Sequence, residues 1–338
     1  MASLKTEARA KGYFDVSMRE QALRCAELIA VPALAFYLLT QGGFAAFVGF
    51  VMLGLHYPRT AYLGHDLAHN QWGPRDDAKP RFMLRAVALL QGFGATWWVE
   101  KHELHHSFPN ACRTNEDGVL TPIDGDIDSV PWIVWDKALV EYNSLGADTS
   151  WKEKIFLALR RAQVVLFFPL LSIARFNWSW QSIETAFRRE KTIEGALCVA
   201  HWVLGMTLAG MLTPGAAWTG WLWFVAAQLL GGFILAFVFV LNHTGMEIYD
   251  ATEAKGFYDR QARSTRNTPS SLFFDWLTGG LNSQIEHHMF PTMARRNLSK
   301  MRDATRKAMV ECGYAYEELG NREAMQAVLG ALSAAAKA

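Results

Sequence analysis

Two long stretches without charged side chains set the architecture of this chain. No Asp, Glu, Lys or Arg occurs between Leu28 and Pro58, or between Gly195 and Met246. A membrane-spanning helix needs about 20 apolar residues, so the second stretch holds two spans joined by a short turn. The first stretch also holds two spans if each of them extends slightly past the charge-free limits. The sequence therefore predicts four transmembrane helices, at residues 22–40, 44–62, 195–213 and 217–241.

Basic residues flank the predicted spans and indicate their orientation. Lys11 and Arg19 precede the first pair, and Arg188 and Arg189 precede the second. Lys and Arg close to span ends tend to stay on the cytoplasmic side of a membrane. We therefore expect a multi-pass, all-α integral membrane protein in which two hairpins enter from the cytoplasmic or stromal face and the polar segments remain on that face.

Two further apolar runs, at residues 86–99 and 162–174, are too short to cross and are bounded by charges. They are expected to be interfacial or re-entrant helices, or equally core helices of the polar part. The Ala-rich C-terminus is expected to form a solvated helix. The resulting division is a cytoplasmic segment at 1–21, a main domain at 22–318 and a helical tail at 319–338.

Composition agrees with a protein that is partly embedded in lipid. The 33 Lys and Arg nearly balance the 32 Asp and Glu, which argues against a nucleic-acid-binding protein. Hydrophobic residues reach 51% and Trp numbers 13, yet the mean hydropathy is only +0.04, so a large polar part is also present. The four cysteines are scattered and are expected to be free thiols, and the polar N-terminus does not resemble a cleavable signal peptide.

Histidines carry the candidate chemistry, because seven of the ten lie in three short clusters, GHDLAHN, KHELHHSFPN and QIEHHMFP. Residues separated by three or four positions share one face of a helix, so each cluster presents its side chains together. Imidazole is a common ligand of iron and zinc. The clusters contain His65 and His69; His102, His105 and His106; and Gln284, His287 and His288.

An eighth histidine, His243, follows the last predicted span. Eight imidazoles and one amide exceed the four ligands that one zinc ion takes, which favours two metal ions. With two hairpins, an even number of crossings precedes every cluster, so all of them reach the same face. The other two histidines, His56 and His201, are expected to pack or to make local hydrogen bonds.

These clusters resemble the three histidine boxes of the membrane fatty acid desaturase family. More narrowly, the sequence resembles the front-end desaturases, whose third box begins with Gln, as Gln284 does here. The run DWLTGGLNSQIEHHMFPTMARRNL and the segment DGDIDSVP after the second box also resemble that group. The resemblance extends from about residue 25 to residue 318.

The resemblance implies a di-iron centre in a cytoplasmic helical cap, with O2 as co-substrate. The activity implied is removal of hydrogen from two neighbouring methylene carbons of a lipid-linked or thioester-linked acyl chain, with release of water. Trp97 and Trp98 are expected to line the acyl channel, or to belong to an interfacial aromatic belt. The implied iron ligands are His65, His69, His102, His105, His106, His287 and His288, with His243 and Gln284 at positions also implicated.

Three acidic residues adjoin these ligands and are candidates to orient them: Asp66, Glu103 and Glu286. Asp124, Asp126 and Asp128 are weaker candidates, because a loop of acids is as readily solvated. Many front-end desaturases carry a fused cytochrome b5 domain with an HPGG motif, which this sequence lacks. A separate donor of the cytochrome b5 or ferredoxin type is therefore expected, and the basic stretch 295–307 is either its docking surface or an ordinary cytoplasmic flank.

Two alternatives remain. A hydroxylase or related oxygenase shares such boxes, and nothing in the boxes separates hydroxylation from desaturation. The segment HELHH also matches the H-E-x-x-H pattern of zinc metalloproteases, with His102 and His106 as ligands and Glu103 as base. That pattern leaves the other two clusters and His243 unexplained.

Overall fold

The computed structural model of this chain describes residues 2–145, 150–253 and 256–338. The described chain is predominantly helical. Its helices in chain order are α1 (Ala2–Ala10), α2 (Met18–Thr40), α3 (Gly43–Ala68), α4 (Ala78–Gln91), α5 (Ala95–Ser107), α6 (Val140–Leu145), α7 (Ser150–Arg188), α8 (Thr192–Leu212), α9 (Ala217–His243), α10 (Phe257–Ser264), α11 (Leu272–Leu277), α12 (Gln284–Met289), α13 (Leu298–Glu311) and α14 (Asn321–Lys337). Short 3₁₀ helices cover Lys137–Leu139 and Arg295–Asn297.

Four of the described helices are long and apolar enough to cross a membrane: α2, α7, α8 and α9. Three of them coincide with predicted spans. The predicted span at 44–62 lies within α3, a 26-residue helix that is not among the four. This difference arises because the second half of α3 is polar, with His56, Arg59 and the first histidine cluster.

The expectation that 162–174 forms a short separate helix is wrong. This run is the middle of α7, a 39-residue helix that continues through the charged residues on both sides and through Pro169. The run at 86–99 is instead divided between α4 and α5, because Gly92 adopts a left-handed conformation (φ 81°) that ends α4.

The described chain forms two compact units. Unit 1 comprises Met1–Lys11, Glu100–Leu170 and Phe237–Ala338, and unit 2 comprises Gly12–Val99 and Leu171–Ala236.

Unit 2 is built on closely packed helices. A Cβ atom added to Gly49 on α3 would lie 2.6 Å from the carbonyl oxygen of Ala35 on α2, and one added to Gly220 on α9 would lie 1.9 Å from that of Ala209 on α8. Only glycine permits such approaches, as is usual between helices in lipid. The buried side chains around these contacts include Leu39, Leu53, Tyr57, Phe224 and Ala227.

Unit 1 contains a small sheet, which the all-α prediction missed. Its strands are β1 (Ala111–Thr114), β2 (Leu120–Pro122) and β3 (Tyr249–Asp250), in the order β2-β1-β3. β1 is antiparallel to β2 and parallel to β3. Strands of two to four residues leave no sequence periodicity from which to predict them.

The C-terminal helix α14 is packed, so the prediction of a solvated helix is wrong. Ala324, Val328 and Leu332 are buried at intervals of four residues, which place them on one face of the helix. The side chain of Gln163 donates to the carbonyl oxygen of Leu332 at 2.7 Å. All four cysteines are free, as predicted.

Candidate metal centre

Unit 1 brings the second and third histidine clusters together with His243. The second cluster lies on the C-terminal half of α5, the third on the six-residue helix α12, and His243 ends α9. All seven side chains are at least nine-tenths buried, and those of His287 and His288 are fully buried. The seven residues are His102, His105, His106, His243, Gln284, His287 and His288.

The imidazole rings of unit 1 are in contact. The rings of His106 and His288 stack with centroids 4.2 Å apart, and His106 lies 4.7 Å from His287. His105 lies 4.6 Å from His243 and 4.9 Å from His288. Residues from sequence positions more than 130 apart therefore form one imidazole cluster.

Two sets of three nitrogen ligands are present in this cluster. His105, His243 and His288 each offer one ring nitrogen, and these atoms lie within 4.8 Å of one another. The same limit holds for His102, His106 and His287. Two neighbouring sets of imidazoles fit two metal ions better than one.

Hydrogen bonds orient four of these rings in the same way. The Nδ1 atom of His102 lies 2.7 Å from Asp126 Oδ2, and that of His105 lies 2.7 Å from Asp124 Oδ2. His288 Nδ1 lies 2.7 Å from Gln261 Oε1, and His243 Nδ1 lies 3.0 Å from the Ser264 carbonyl oxygen.

Since each partner atom is an oxygen acceptor, the proton belongs on Nδ1, and Nε2 keeps its lone pair for a metal. The buried Nε2 atom of His288 has no hydrogen-bond partner among the described residues. A buried acceptor without a partner is costly unless a ligand completes it. These residues therefore fit a metal centre.

The electrostatic environment favours the neutral form of His288 and a positive charge at His105. Burial, together with the neighbouring rings of His106 and His105, lowers the pKa of His288 well below its ordinary value, so this ring is neutral. Burial also lowers the pKa of His105, but the charge and hydrogen bond of Asp124 outweigh it and raise the net value. A carboxylate that stabilises positive charge on an imidazole equally stabilises that imidazole bound to a cation.

Gln284 lies beside His243, with its amide nitrogen 2.8 Å from His243 Nε2. The amide oxygen of Gln284 is 3.4 Å from Asn242 Nδ2. An amide that turns its oxygen toward the rings would add an oxygen ligand to the nitrogen set.

Two of the three predicted acidic partners, Glu103 and Glu286, lie in different surroundings. The Glu103 side chain is exposed. Glu286 is fully buried and accepts hydrogen bonds from Asn267 Nδ2 at 2.8 Å and the Tyr316 hydroxyl at 2.9 Å. Asp124 and Asp126 contact the second cluster, at His105 and His102. Sequence spacing gave little reason to prefer them, because they lie 19 and 24 residues from the histidines they contact.

A second network holds the helix of the third cluster. Asn267 accepts from the Ile285 backbone at 2.9 Å while donating to Glu286. The buried Arg302 of α13 donates to Ser283 Oγ at 3.0 Å, to the Thr268 carbonyl at 2.7 Å and to the Asn282 carbonyl at 2.6 Å. Arg302, part of the predicted basic flank, is thus a structural residue next to α12.

Unit 2 holds the first cluster at the end of α3. The rings of His65 and His69 lie 4.6 Å apart, and each offers a nitrogen within 4.8 Å of the other. Asp66 Oδ1 is 3.8 Å from His65 Nδ1. The Trp98 ring lies 5.4 Å from that of His65, whereas Trp97 is buried and donates to Gln181 Oε1 at 2.9 Å.

Polar side chains of unit 2 also hold the start of α5, the helix that carries the second cluster. Glu194 accepts from the Thr96 backbone at 3.0 Å and from the Thr96 hydroxyl at 2.9 Å. Ser182 Oγ accepts from the Gly94 backbone at 2.7 Å. These acceptors satisfy N–H groups that a helix start leaves unpaired, so they fix where α5 begins.

The remaining two histidines are buried and hydrogen-bonded; the bond of His56 is local, as predicted, whereas His201 bonds to a residue 112 positions away in the sequence. His56 Nε2 lies 3.2 Å from Thr60 Oγ1, and His201 Nδ1 lies 3.0 Å from the Leu89 carbonyl oxygen.

Comparison with known proteins finds relatives that are all named as desaturases. A sequence model of the fatty acid desaturase family matches residues 38–320. An acyl-lipid (9-3)-desaturase of Physcomitrium patens is 35% identical over 297 residues, covering 85% of this chain and 53% of that protein. A delta(8)-fatty-acid desaturase of Euglena gracilis is 31% identical over 313 residues, covering 88% and 69%. The chain thus spans about half the length of the first relative and about two thirds of the second.

Proposed function

Since the chain belongs to the fatty acid desaturase family, we propose that it is an O2-dependent di-iron desaturase that introduces a double bond into an acyl chain. The observation that carries this proposal is the two sets of three imidazoles in unit 1. In four of these rings the Nδ1 atom faces an oxygen acceptor. Relatives named as delta(8), delta(6) and acyl-lipid (9-3) desaturases support the front-end type.

The proposed iron ligands are the seven clustered side chains of unit 1, together with His65 and His69 from the first box of the family pattern. Iron held by them would supply the oxidising power, drawn from O2, that removes hydrogen from an unactivated methylene carbon. The protein's own residues hold the rings in place: Asp124 and Asp126 keep the Nδ1 protons of His105 and His102, and Gln261 keeps that of His288.

The proposed membrane topology is two hairpins, α2 with α3 and α8 with α9. The second cluster precedes α7, and the third follows α9, yet both lie in one cluster of unit 1. Therefore an even number of the helices α7, α8 and α9 crosses the membrane. We assign α7 as the helix that does not cross, because its apolar segment contains the buried Arg175, which donates to Gln228 Oε1 at 2.9 Å.

The proposed substrate is an acyl chain on a membrane lipid or a thioester, delivered to a site on the cytoplasmic or stromal face. The name acyl-lipid desaturase of one relative supports the lipid-linked form. The proposed electron donor is of the cytochrome b5 or ferredoxin type. The roles of Trp97 and Trp98 in an acyl channel, and of Asp66, Glu103 and Glu286 in orienting ligands, remain predictions.

The test is expression of the chain with a reductase and donor in a host fed polyunsaturated fatty acids, followed by gas chromatography–mass spectrometry of the lipids. The wild-type chain is expected to produce an acyl species that has lost two hydrogen atoms. The His288→Ala variant is expected to produce none and to retain less iron per chain. His56→Ala is the matched control, because it removes a buried histidine outside the clusters.

Other outcomes would assign the site differently. A product heavier by one oxygen atom indicates the hydroxylase alternative on the same scaffold. A purified protein with one zinc ion and no iron would support the protease alternative, which leaves His105, His243 and His288 without a role. Equal losses of activity in His56→Ala and His288→Ala would show that stability, and not metal binding, explains the result.

A further inference from the structure

Helix α11 is an apolar helix without a buried side chain. Five of the six residues in its sequence LFFDWL are apolar, and none is buried among the described residues. Leu272 is 95% exposed, Phe273 is 60% exposed and Trp276 is 42% exposed. Contiguous exposed surface of this kind marks contact with a partner or with a membrane.

The polarity of α11 is inverted relative to a helix on a water-facing surface. Its one charged residue, Asp275, accepts hydrogen bonds from Ser270 Oγ at 2.9 Å and from Asn282 Nδ2 at 2.7 Å. The Thr278 hydroxyl after the helix also donates to Asn282, at 2.8 Å. The polar side of α11 is therefore turned toward its own loop, whereas the apolar side chains point outward.

We infer that α11 lies in the membrane interface, with Leu272, Phe273 and Trp276 among the lipid acyl chains. Four helices of the same chain are long and apolar enough to cross a bilayer, so a membrane is the apolar surface that α11 would contact. Leu, Phe and Trp are the side chains that insert at the boundary between head groups and acyl chains. A docked electron donor would be expected to meet charged groups, but the exposed large side chains of α11 are all apolar.

The position of α11 in unit 1 connects this contact to the candidate metal centre. Asn282 joins Asp275 to the loop that Arg302 holds, and the next two residues are Ser283 and Gln284. An α11 fixed in the interface would hold the helix α12 at a constant depth relative to the acyl chains. This consequence rests on the proposed function, whereas the insertion of α11 does not.

Site-specific fluorescence tests the insertion without reference to activity. The full chain, with Cys25→Ala and Cys312→Ser to remove its more accessible thiols, receives Leu272→Cys and an NBD label in phosphatidylcholine nanodiscs. The matched control is Val310→Cys, an apolar position on α13 that is 62% exposed. We expect the label at 272 to be quenched by lipids with a nitroxide near the head group, and to be severalfold less sensitive to aqueous iodide than the label at 310.

Two results would overturn the inference. Equal sensitivity to iodide at both positions would show that α11 faces water. A label at 272 that is protected from iodide, but is not quenched by the nitroxide lipid, would show that protein covers α11, for example a second copy of this chain. Neither result depends on iron or substrate, so failure of this inference is distinguishable from failure of the proposed function.

Discussion

At the scale of single residues, the carboxylates behind the histidines decide how well a metal is held. Asp124 is fully buried and accepts from His105 Nδ1 and from the Asn110 backbone at 2.9 Å. Asp124→Asn keeps the shape but removes the charge, so we expect metal affinity to fall by about 10- to 100-fold. The measurement is iron per chain against free iron in dialysis, with the exposed Asp117→Asn as control. Equal affinities in the two variants would contradict the assignment.

Arg302 offers a second residue-scale prediction. Lysine keeps the charge but cannot make the fork of hydrogen bonds to Ser283, Thr268 and Asn282, so Arg302→Lys is expected to cost about 1–3 kcal/mol of stability. Iron content should also fall, because the loop before α12 loosens. Arg306→Lys is the control, since Arg306 is exposed and pairs with the same Glu318. Thermal unfolding and iron analysis check both variants, and an unchanged Arg302→Lys protein would refute the role.

Spacing could predict which histidines act, but not which side chains support them. The intervals within HELHH and QIEHH place their histidines on one helical face, and the structure brings both clusters together. The hydrogen-bond acceptors that orient the rings come from other parts of the chain. Asp124 lies in the loop after β2, and Gln261 and Ser264 lie on α10. Glu286 adjoins His287 in the sequence, and its carboxylate accepts hydrogen bonds from Asn267 and Tyr316. Adjacency in sequence does not fix direction in space.

At the scale of elements, glycine governs how closely α8 and α9 approach. Gly220→Ala would place a methyl group 1.9 Å from the Ala209 carbonyl oxygen, so the backbones must separate. We expect a loss of about 1–3 kcal/mol, measured by thermal unfolding in detergent. Gly330→Ala on α14 is the control: no atom lies within 4 Å of the added group, and removing a mid-helix glycine should stabilise the protein by up to about 1 kcal/mol. A tolerated Gly220→Ala variant would argue against this packing.

Charge-free stretches predicted the helices α2, α8 and α9 well, because burial in lipid demands long uncharged runs. The same reasoning failed for α7 and α14. The charged residues around 162–174 suggested that the helix ends there, but a helix tolerates charge wherever the side chain can reach water or a partner. In α14, the Ala-rich composition concealed the buried positions Ala324, Val328 and Leu332. Small side chains give a weak apolar signal even on a packed face.

At the scale of the whole molecule, the proposed topology depends on whether α7 crosses the membrane. Length and composition allow α7 to span a membrane, as they do α2, α8 and α9. If all three of α7, α8 and α9 crossed, the second and third clusters would lie on opposite faces. The stacked rings of His106 and His288 exclude that arrangement. In the proposed topology at least one of the three helices does not cross, and we assign this role to α7 because of the buried Arg175.

Single-cysteine labelling with a membrane-impermeant maleimide tests this topology in sealed vesicles. Lys154→Cys and Arg189→Cys mark the two ends of α7, both at exposed positions, and Ala216→Cys marks the turn between α8 and α9. We expect the two ends of α7 to react from the same side and the turn to react from the other. Ends that react from opposite sides would mean that α7 spans the bilayer; one of α8 and α9 must then stay out of it, since the two clusters share one face.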